Sequence, residues 1–209
     1  MVPPGLVPQP VKPPKGLLVR IFNKVVKTLI GSKRYKWDKE YASGRWDYFN
    51  DALQVSRYEA VLQFVDGYAG KRTILELGCG EGILQARMRP GSYERFLGID
   101  ISKVAIRKAS LLKDRSTDYK CGDMEKFVPS GKFSLLIFNE VLNYSDDPVR
   151  LLTRYTGFLE PNGLVICSFF ETEHSLQIMR DIERRFPVIG QKLSVNQRGV
   201  WHCKVYSKP

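Results

Sequence analysis

The chain has 209 residues, of which 43% are hydrophobic and 26% charged, the composition of an ordinary globular domain. No run of 18 or more apolar residues occurs, which excludes a predicted membrane-spanning helix. The net charge of +11 is unevenly spread: residues 1–37 hold eight Lys/Arg and no acid, leaving 25 bases against 22 acids beyond them, so the charge says little about an active site in the body.

The four cysteines (Cys79, Cys121, Cys167, Cys203) are far apart, and the two histidines (His174, His202) do not sit at metal-ligand spacing. This predicts no metal site and no disulfide framework, and a reducing, cytoplasmic setting. Residues 1–16 contain six of the twelve prolines and read as an extended, disordered arm. Residues 17–34 read as a basic amphipathic helix: over 17–30 the apolar residues fill half of a helical wheel, with Arg20, Lys24 and Lys27 together on the other side. Three uses of it compete: docking on the body as a lid or brace, peripheral contact with an anionic membrane surface, and a transit peptide.

Residues 35–209 read as one domain. An aromatic-rich stretch from Tyr35 to Phe49 precedes a helix over Leu53–Val65. Strands are predicted at Thr73–Leu77, Arg95–Ile99, Asp118–Cys121, Phe133–Phe138 and Leu164–Phe169. Helices lie between them at Ile83–Arg89, Ser102–Leu112, with Ile101, Ala105, Ala109 and Leu112 on one face, and Pro148–Leu159. Asp147-Pro148 reads as an N-cap followed by a first-turn proline, and Pro161-Asn162-Gly163 as a turn. A helix over Thr172–Phe186 and a hairpin of Lys192–Asn196 and Gly199–Tyr206 follow. Strand–helix alternation with near-continuous apolar strands predicts a mostly parallel sheet covered on both faces.

The chemistry is concentrated at the ends of the predicted strands. Ile74 to Gly82 is an apolar strand carrying Glu76, then a tight turn with Gly78, Gly80 and Gly82, then a helix. Such a turn lets a ligand approach the backbone. The dinucleotide fingerprint GxGxxG is not met, because Ile83 stands at the sixth position. Asp100 ends the second strand, Gly122-Asp123-Met124 follows the third, and Asn139-Glu140 follows the fourth.

In this order and spacing, these residues resemble the class I S-adenosylmethionine-dependent methyltransferases of the small-molecule type, over roughly residues 35–209. The resemblance implies a Rossmann-like α/β fold: a seven-stranded, mostly parallel sheet with helices on both faces and a C-terminal antiparallel hairpin. It also implies S-adenosylmethionine as cofactor and S-adenosylhomocysteine as product. Gly78, Gly80 and Gly82 would line the methionine part of the cofactor. Glu76 would orient that loop and help hold the amino group, and Asn139 would lie under the same end. Asp100 would hold the ribose, and Asp123, with Met124 beside the ring, the adenine. Simpler roles compete: Glu76 or Asp100 as helix caps, and Asp123 as a turn residue.

His174 and Glu140, just beyond the fifth and fourth strands, are the candidate catalytic bases; an uncharged amine acceptor would need neither. His202, inside the last strand, reads as structural. Trp46, Tyr48 and Tyr144 are the candidate substrate-binding residues. The Trp46-Asp47-Tyr48 and Arg57-Tyr58 pieces resemble small-molecule methyltransferases of biosynthetic pathways. The expected function is therefore methyl transfer to an oxygen or nitrogen of a small molecule. An RNA or protein methyltransferase and a non-catalytic binding module are the alternatives. Asn139-Glu140-Val141-Leu142, in place of Asn/Asp-Pro-Pro-Tyr/Phe, and the nearly neutral body disfavour nucleic acid. The sequence leaves the oligomeric state open.

Overall fold

The computed structural model describes residues 28, 31–70 and 72–209. The arm at 1–16 and, apart from Thr28, the amphipathic helix at 17–30 lie outside the described residues. The body forms a seven-stranded sheet: β1 (Thr73–Leu77), β2 (Arg95–Asp100), β3 (Thr117–Cys121), β4 (Phe133–Asn139), β5 (Leu159–Phe170), β6 (Val188–Asn196) and β7 (Gly199–Tyr206). Their order is β3-β2-β1-β4-β5-β7-β6. β1 to β5 pair in parallel, and β7 runs antiparallel between β5 and β6. The fold is thus the predicted Rossmann-like α/β sheet with its C-terminal antiparallel hairpin.

The helices are α1 (Ser32–Ala42), α2 (Val55–Gly67), α3 (Ile83–Ala86), α4 (Lys103–Ala109), α5 (Pro148–Thr156) and α6 (Glu173–Glu183). Side chains alternate across each strand, so each central strand feeds two cores. Leu75, Leu77, Leu136 and Phe138 pack with Leu152 and Tyr155 of α5 and Ile178, Met179 and Ile182 of α6. Ile74, Leu135 and Ile137 pack on the opposite face with Tyr58, Val61 and Val65 of α2, Leu84 of α3 and Ala109 of α4. Burying a side chain of this kind contributes about 1.5–3 kcal/mol. Asp147 caps α5 by accepting from the Arg150 N–H at 3.0 Å, with Pro148 in the first turn.

Three local expectations are corrected. Pro161-Asn162-Gly163 is no turn before the fifth strand: it lies inside β5. Phe133 pairs with Leu159 and Leu135 with Leu164, so the extra residues form a bulge rather than a reversal. Gly163 allows it, because a Cβ there would come within 3.0 Å of the Ser134 carbonyl oxygen of β4. The Ser102–Leu112 helix stops at Ala109, leaving Leu112 exposed while Ala105 and Ala109 are buried. The stretch from Tyr35 begins within α1, a helix that crosses the expected boundary between residues 34 and 35.

α1 has little apolar periodicity, and polar contacts with distant residues fix its place. Asp38 accepts from the Ser102 hydroxyl at 2.7 Å and the Val104 N–H at 3.1 Å, at the start of α4. Arg34 Nε donates to the Ile101 carbonyl at 3.1 Å, and Lys33 pairs with Asp146 at 3.1 Å. These contacts hold α1 across the ends of β2 and β4. No helix among the described residues is long and apolar enough to cross a membrane.

Candidate functional site

A cavity of about 650 Å³ opens at the carboxyl ends of β1, β2 and β4, within the ~300–1,000 Å³ usual for small-molecule sites. Ligands of open parallel sheets bind at this edge. Its floor is the turn after β1. Gly78 has φ 71° and Gly82 φ 78°, left-handed conformations that side chains strain to adopt. A Cβ at Gly78 would fall 2.2 Å from Cγ2 of Val141, and one at Gly82 would fall 2.6 Å from the Tyr119 hydroxyl. Gly78→Ala combines backbone strain of ~1–2 kcal/mol with overpacking of ~1–3 kcal/mol. The expected outcome is a clear fall in the thermal midpoint with loss of ligand binding; a Gly78→Ala protein that melts and binds like wild type contradicts the fit.

Glu76, the last residue but one of β1, shares the face of Ile74 that packs against α2 and is 1% exposed. Burial, reinforced by the charge of Asp100, pushes its carboxyl up to about 8, against a pull downward from an Asn139 hydrogen bond. Its Oε2 is buried with no hydrogen-bond partner. A buried acceptor left unpaired is costly, so this atom is suited to a cationic donor brought by a ligand.

Asp100 ends β2, also buried. Its two oxygens accept from the Gly80 N–H at 3.0 Å and the Ser102 N–H at 2.8 Å. Burial raises its carboxyl to about 6, although both N–H bonds pull the other way. The anticipated contact near the start of α4 therefore exists, yet the carboxylate also ties down the glycine turn and lines the cavity. Each oxygen retains a lone pair for a ligand hydroxyl.

Asp123 and Met124 also line the cavity. Asp123 accepts from the Glu125 N–H at 3.0 Å, a turn contact. The Met124 carbonyl is held by Arg154 and by the Tyr155 hydroxyl at 2.8 and 2.9 Å. Asn139 accepts from the Ser168 hydroxyl at 2.7 Å.

Glu140 has φ 58°, the one positive φ outside glycine among the described residues. Its oxygens accept from the Ser168 hydroxyl and the Phe170 N–H, both at 2.9 Å, which joins the ends of β4 and β5. Burial raises its carboxyl, and Arg57 opposes that. His174 is not brought to the cavity. It lies exposed in the first turn of α6, which a capping box between Thr172 and Ser175 starts. Thr172 lines the cavity instead. His202 pairs with Glu171 at 2.7 Å, a contact between neighbouring strand ends.

The segment between α1 and α2 roofs the cavity. Trp46, Tyr48 and Tyr144 all line it. Trp46 stacks on Phe49 with centroids 5.2 Å apart, and Trp37 meets Tyr144 edge-on at 4.8 Å. The roof is anchored by Lys108, which pairs with Glu81 of the glycine turn at 2.6 Å and with Asp47 at 3.7 Å. Several lining residues had no signal in the sequence as site residues. Phe170 and Trp201 come from β5 and β7, Gln54 from the turn before α2, and Arg198 from the hairpin tip. Strand pairing brings Phe170, Trp201 and Arg198 to this edge, and the packing of α2 brings Gln54.

Residues 75–167 match the family model described as a methyltransferase domain. Among curated proteins, a ubiquinone biosynthesis O-methyltransferase of Bradyrhizobium diazoefficiens is 31% identical over 59% of this chain and 49% of its own length. A malonyl-[acyl-carrier protein] O-methyltransferase of Ilyobacter polytropus is 28% identical over 72% of this chain and 59% of its own. The chain thus spans about half the length of the curated relatives it matches. Among solved structures, the N-methyltransferase NodS of Bradyrhizobium japonicum, in complex with S-adenosyl-L-homocysteine, superposes with a TM-score of 0.72 at 17% identity. That match covers 84% of this chain and 98% of NodS, and at this identity it speaks for the fold. Over residues 75–167 the chain is thus similar to methyltransferase domains, and its sheet has the fold of a solved methyltransferase.

Proposed function

We propose that the protein binds S-adenosylmethionine in this cavity and transfers its methyl group to an oxygen or nitrogen of a small molecule, releasing S-adenosylhomocysteine. The observation that carries the reading is the unpartnered, buried Glu76 oxygen beside a glycine turn that Asp100 holds in place. These residues fit a ligand with a cationic amino group at one end and a ribose at the other. The cofactor supplies one piece of chemistry, a methyl group on a positively charged sulfur.

The chain's own residues supply the rest. Glu76 and Asn139 hold the amino end, Asp100 the ribose hydroxyls, and Asp123 with Met124 the base. The glycine turn lets that ligand lie against backbone. The aromatic roof of Trp37, Trp46 and Phe49 excludes water and aligns the acceptor, which is where most of the catalytic gain of a pre-formed electrophile lies. Glu140 is the group placed to take a proton from a neutral acceptor. The relatives' names, both O-methyltransferases, support an oxygen acceptor. Membrane contact through residues 17–30 is a separate proposal, tested by co-sedimentation with anionic vesicles before and after truncation.

The test is incubation with methyl-labelled S-adenosylmethionine and an extract of the source organism, with and without nuclease and protease. Label is expected in a small metabolite that survives both treatments. Label that disappears with nuclease or protease moves the acceptor to RNA or protein. No label in any fraction, with cofactor binding intact, leaves a binding module.

A further inference from the structure

The outer sides of α1 and α4 form a basic face on the body. α1 lies along α4: Asp38 reaches the first turn of α4, and Lys108 Nζ donates to the Tyr41 carbonyl at 3.5 Å. Lys36 and Lys39 of α1, Lys103 and Arg107 of α4, and Lys113 and Arg115 just beyond it are all exposed. None of the six makes an ion pair among the described residues. Residues 103–115 hold five bases and one acid, enough to account for the whole surplus of bases in the body.

The acids nearby are engaged elsewhere. Asp38 accepts from Ser102 and Val104, and Asp114 accepts from the Tyr93 hydroxyl at 2.8 Å and the Thr117 hydroxyl at 2.7 Å. α4 has no acid, and α1 has one more, Glu40. Amid the bases stand two apolar residues that the early end of α4 leaves uncovered. Leu111 is 85% exposed, the most of any large apolar residue among the described ones, and Leu112 is 48% exposed. Bases alone suit any polyanion. Adjacent exposed leucines gain nothing from a phosphate backbone, but they gain by entering a lipid headgroup layer. The chain also runs into α1 from a stretch of like charge, since residues 1–37 hold no acid at all.

We propose that this face of the body docks on an anionic lipid surface, with its bases over the headgroups and Leu111 and Leu112 set among them. The contact is separate from residues 17–30. It is built from exposed side chains of packed helices, so it fixes which side of the domain meets the membrane, an orientation that a contact near the chain's end leaves open. Two such contacts on one chain reinforce each other, because the first holds the second near the surface. Each Lys or Arg near an anionic surface strengthens binding about fivefold, and the attraction falls off within a Debye length, so binding weakens steeply with salt.

The test is co-sedimentation of the full chain with vesicles of mixed phosphatidylserine and phosphatidylcholine, and with vesicles of phosphatidylcholine alone. The wild type is expected to sediment with the mixed vesicles only, and less as salt rises. The variant carrying Lys103→Glu and Arg107→Glu should weaken that binding at least about tenfold. The variant carrying Leu111→Ser and Leu112→Ser should weaken it several-fold, both with the wild-type thermal midpoint. None of these side chains lines the cavity, so the outcome does not depend on the methyltransferase reading. No sedimentation of the wild type, or equal sedimentation with phosphatidylcholine alone, would overturn the inference. Wild-type binding by both variants assigns the membrane contact to residues 17–30 and overturns it too. Binding lost in the charge variant but unchanged in the leucine variant makes this a face for polyanions such as RNA, and the lipid assignment falls. Should the charge variant fail to fold, the leucine variant and the salt dependence of the wild type decide.

Discussion

Asp100→Ala is expected to weaken S-adenosylhomocysteine binding by at least about tenfold. Two ribose hydroxyls donating to a buried carboxylate make charge-assisted bonds of ~1.5–3 kcal/mol each. The same substitution strips the Gly80 and Ser102 N–H groups of their acceptor, so the glycine turn loses its tie to β2. Asp100→Asn separates the two effects. Its amide oxygen can still accept from one N–H, while the charge is gone. The order of affinity should be wild type, then Asn, then Ala, measured by calorimetry with thermal melts as the folding control. Wild-type affinity in Asp100→Ala would remove the ribose from this place.

Glu76→Gln is expected to act in opposite directions on the free protein and on its complex. In the free fold the Glu76 carboxyl is raised to about 8, chiefly by burial, from an ordinary value near 4.5. The folded protein therefore keeps a proton that the unfolded chain has released. That contribution to stability is full below about 4.5 and is lost as pH rises through about 8, at up to ~1.4 kcal/mol per unit. The glutamine variant does not titrate. Without ligand it should melt close to wild type at pH 5 and above wild type at pH 8. A bound ammonium reverses the preference, because an ionised Glu76 then gains a partner for its orphaned oxygen. Wild-type affinity for S-adenosylhomocysteine should therefore rise between pH 6 and 8 with release of a proton, and the variant's should be lower and flat. Proton release is read by calorimetry in buffers of different ionisation enthalpy. A variant that keeps the wild-type pH profile assigns the titration to another group.

Much of the fold was legible because its signals are local. A fully buried parallel strand must be apolar along its length, so Thr73–Leu77 and Phe133–Phe138 stood out, and the tight turn between β1 and α3 required glycine. Asp147-Pro148 marked a helix start for an equally local reason. The ends of parallel strands converge on one edge, and Glu76, Gly78, Gly80, Asp100, Asp123 and Asn139 line the cavity there, whereas Gly82 packs against Tyr119 and Ala109 instead.

What depends on distant partners was not written in any window of sequence. α1 has no apolar stripe, and Asp38 reaching Ser102 and Val104 is what makes it a helix over the site. Pro161 to Gly163 carries every mark of a turn, yet pairing of Leu164 with Leu135 draws it into β5 as a bulge. His174 has the right residue type near the right strand end, but it falls on the exposed side of the first turn of α6, while Phe170, Thr172 and Trp201 take the wall. Arg57 shows the difference most plainly. The Arg57-Tyr58 pair stands out in the sequence only by resemblance, and nothing there marks the arginine as buried. Only packing between Tyr58 and Phe49 turns it into a buried, fixed cation at the cavity wall, in reach of the charges of Glu76 and Glu140. Periodicity and turn chemistry act over a few residues and are legible one at a time, whereas burial and pairing of a charge are properties of the assembled fold.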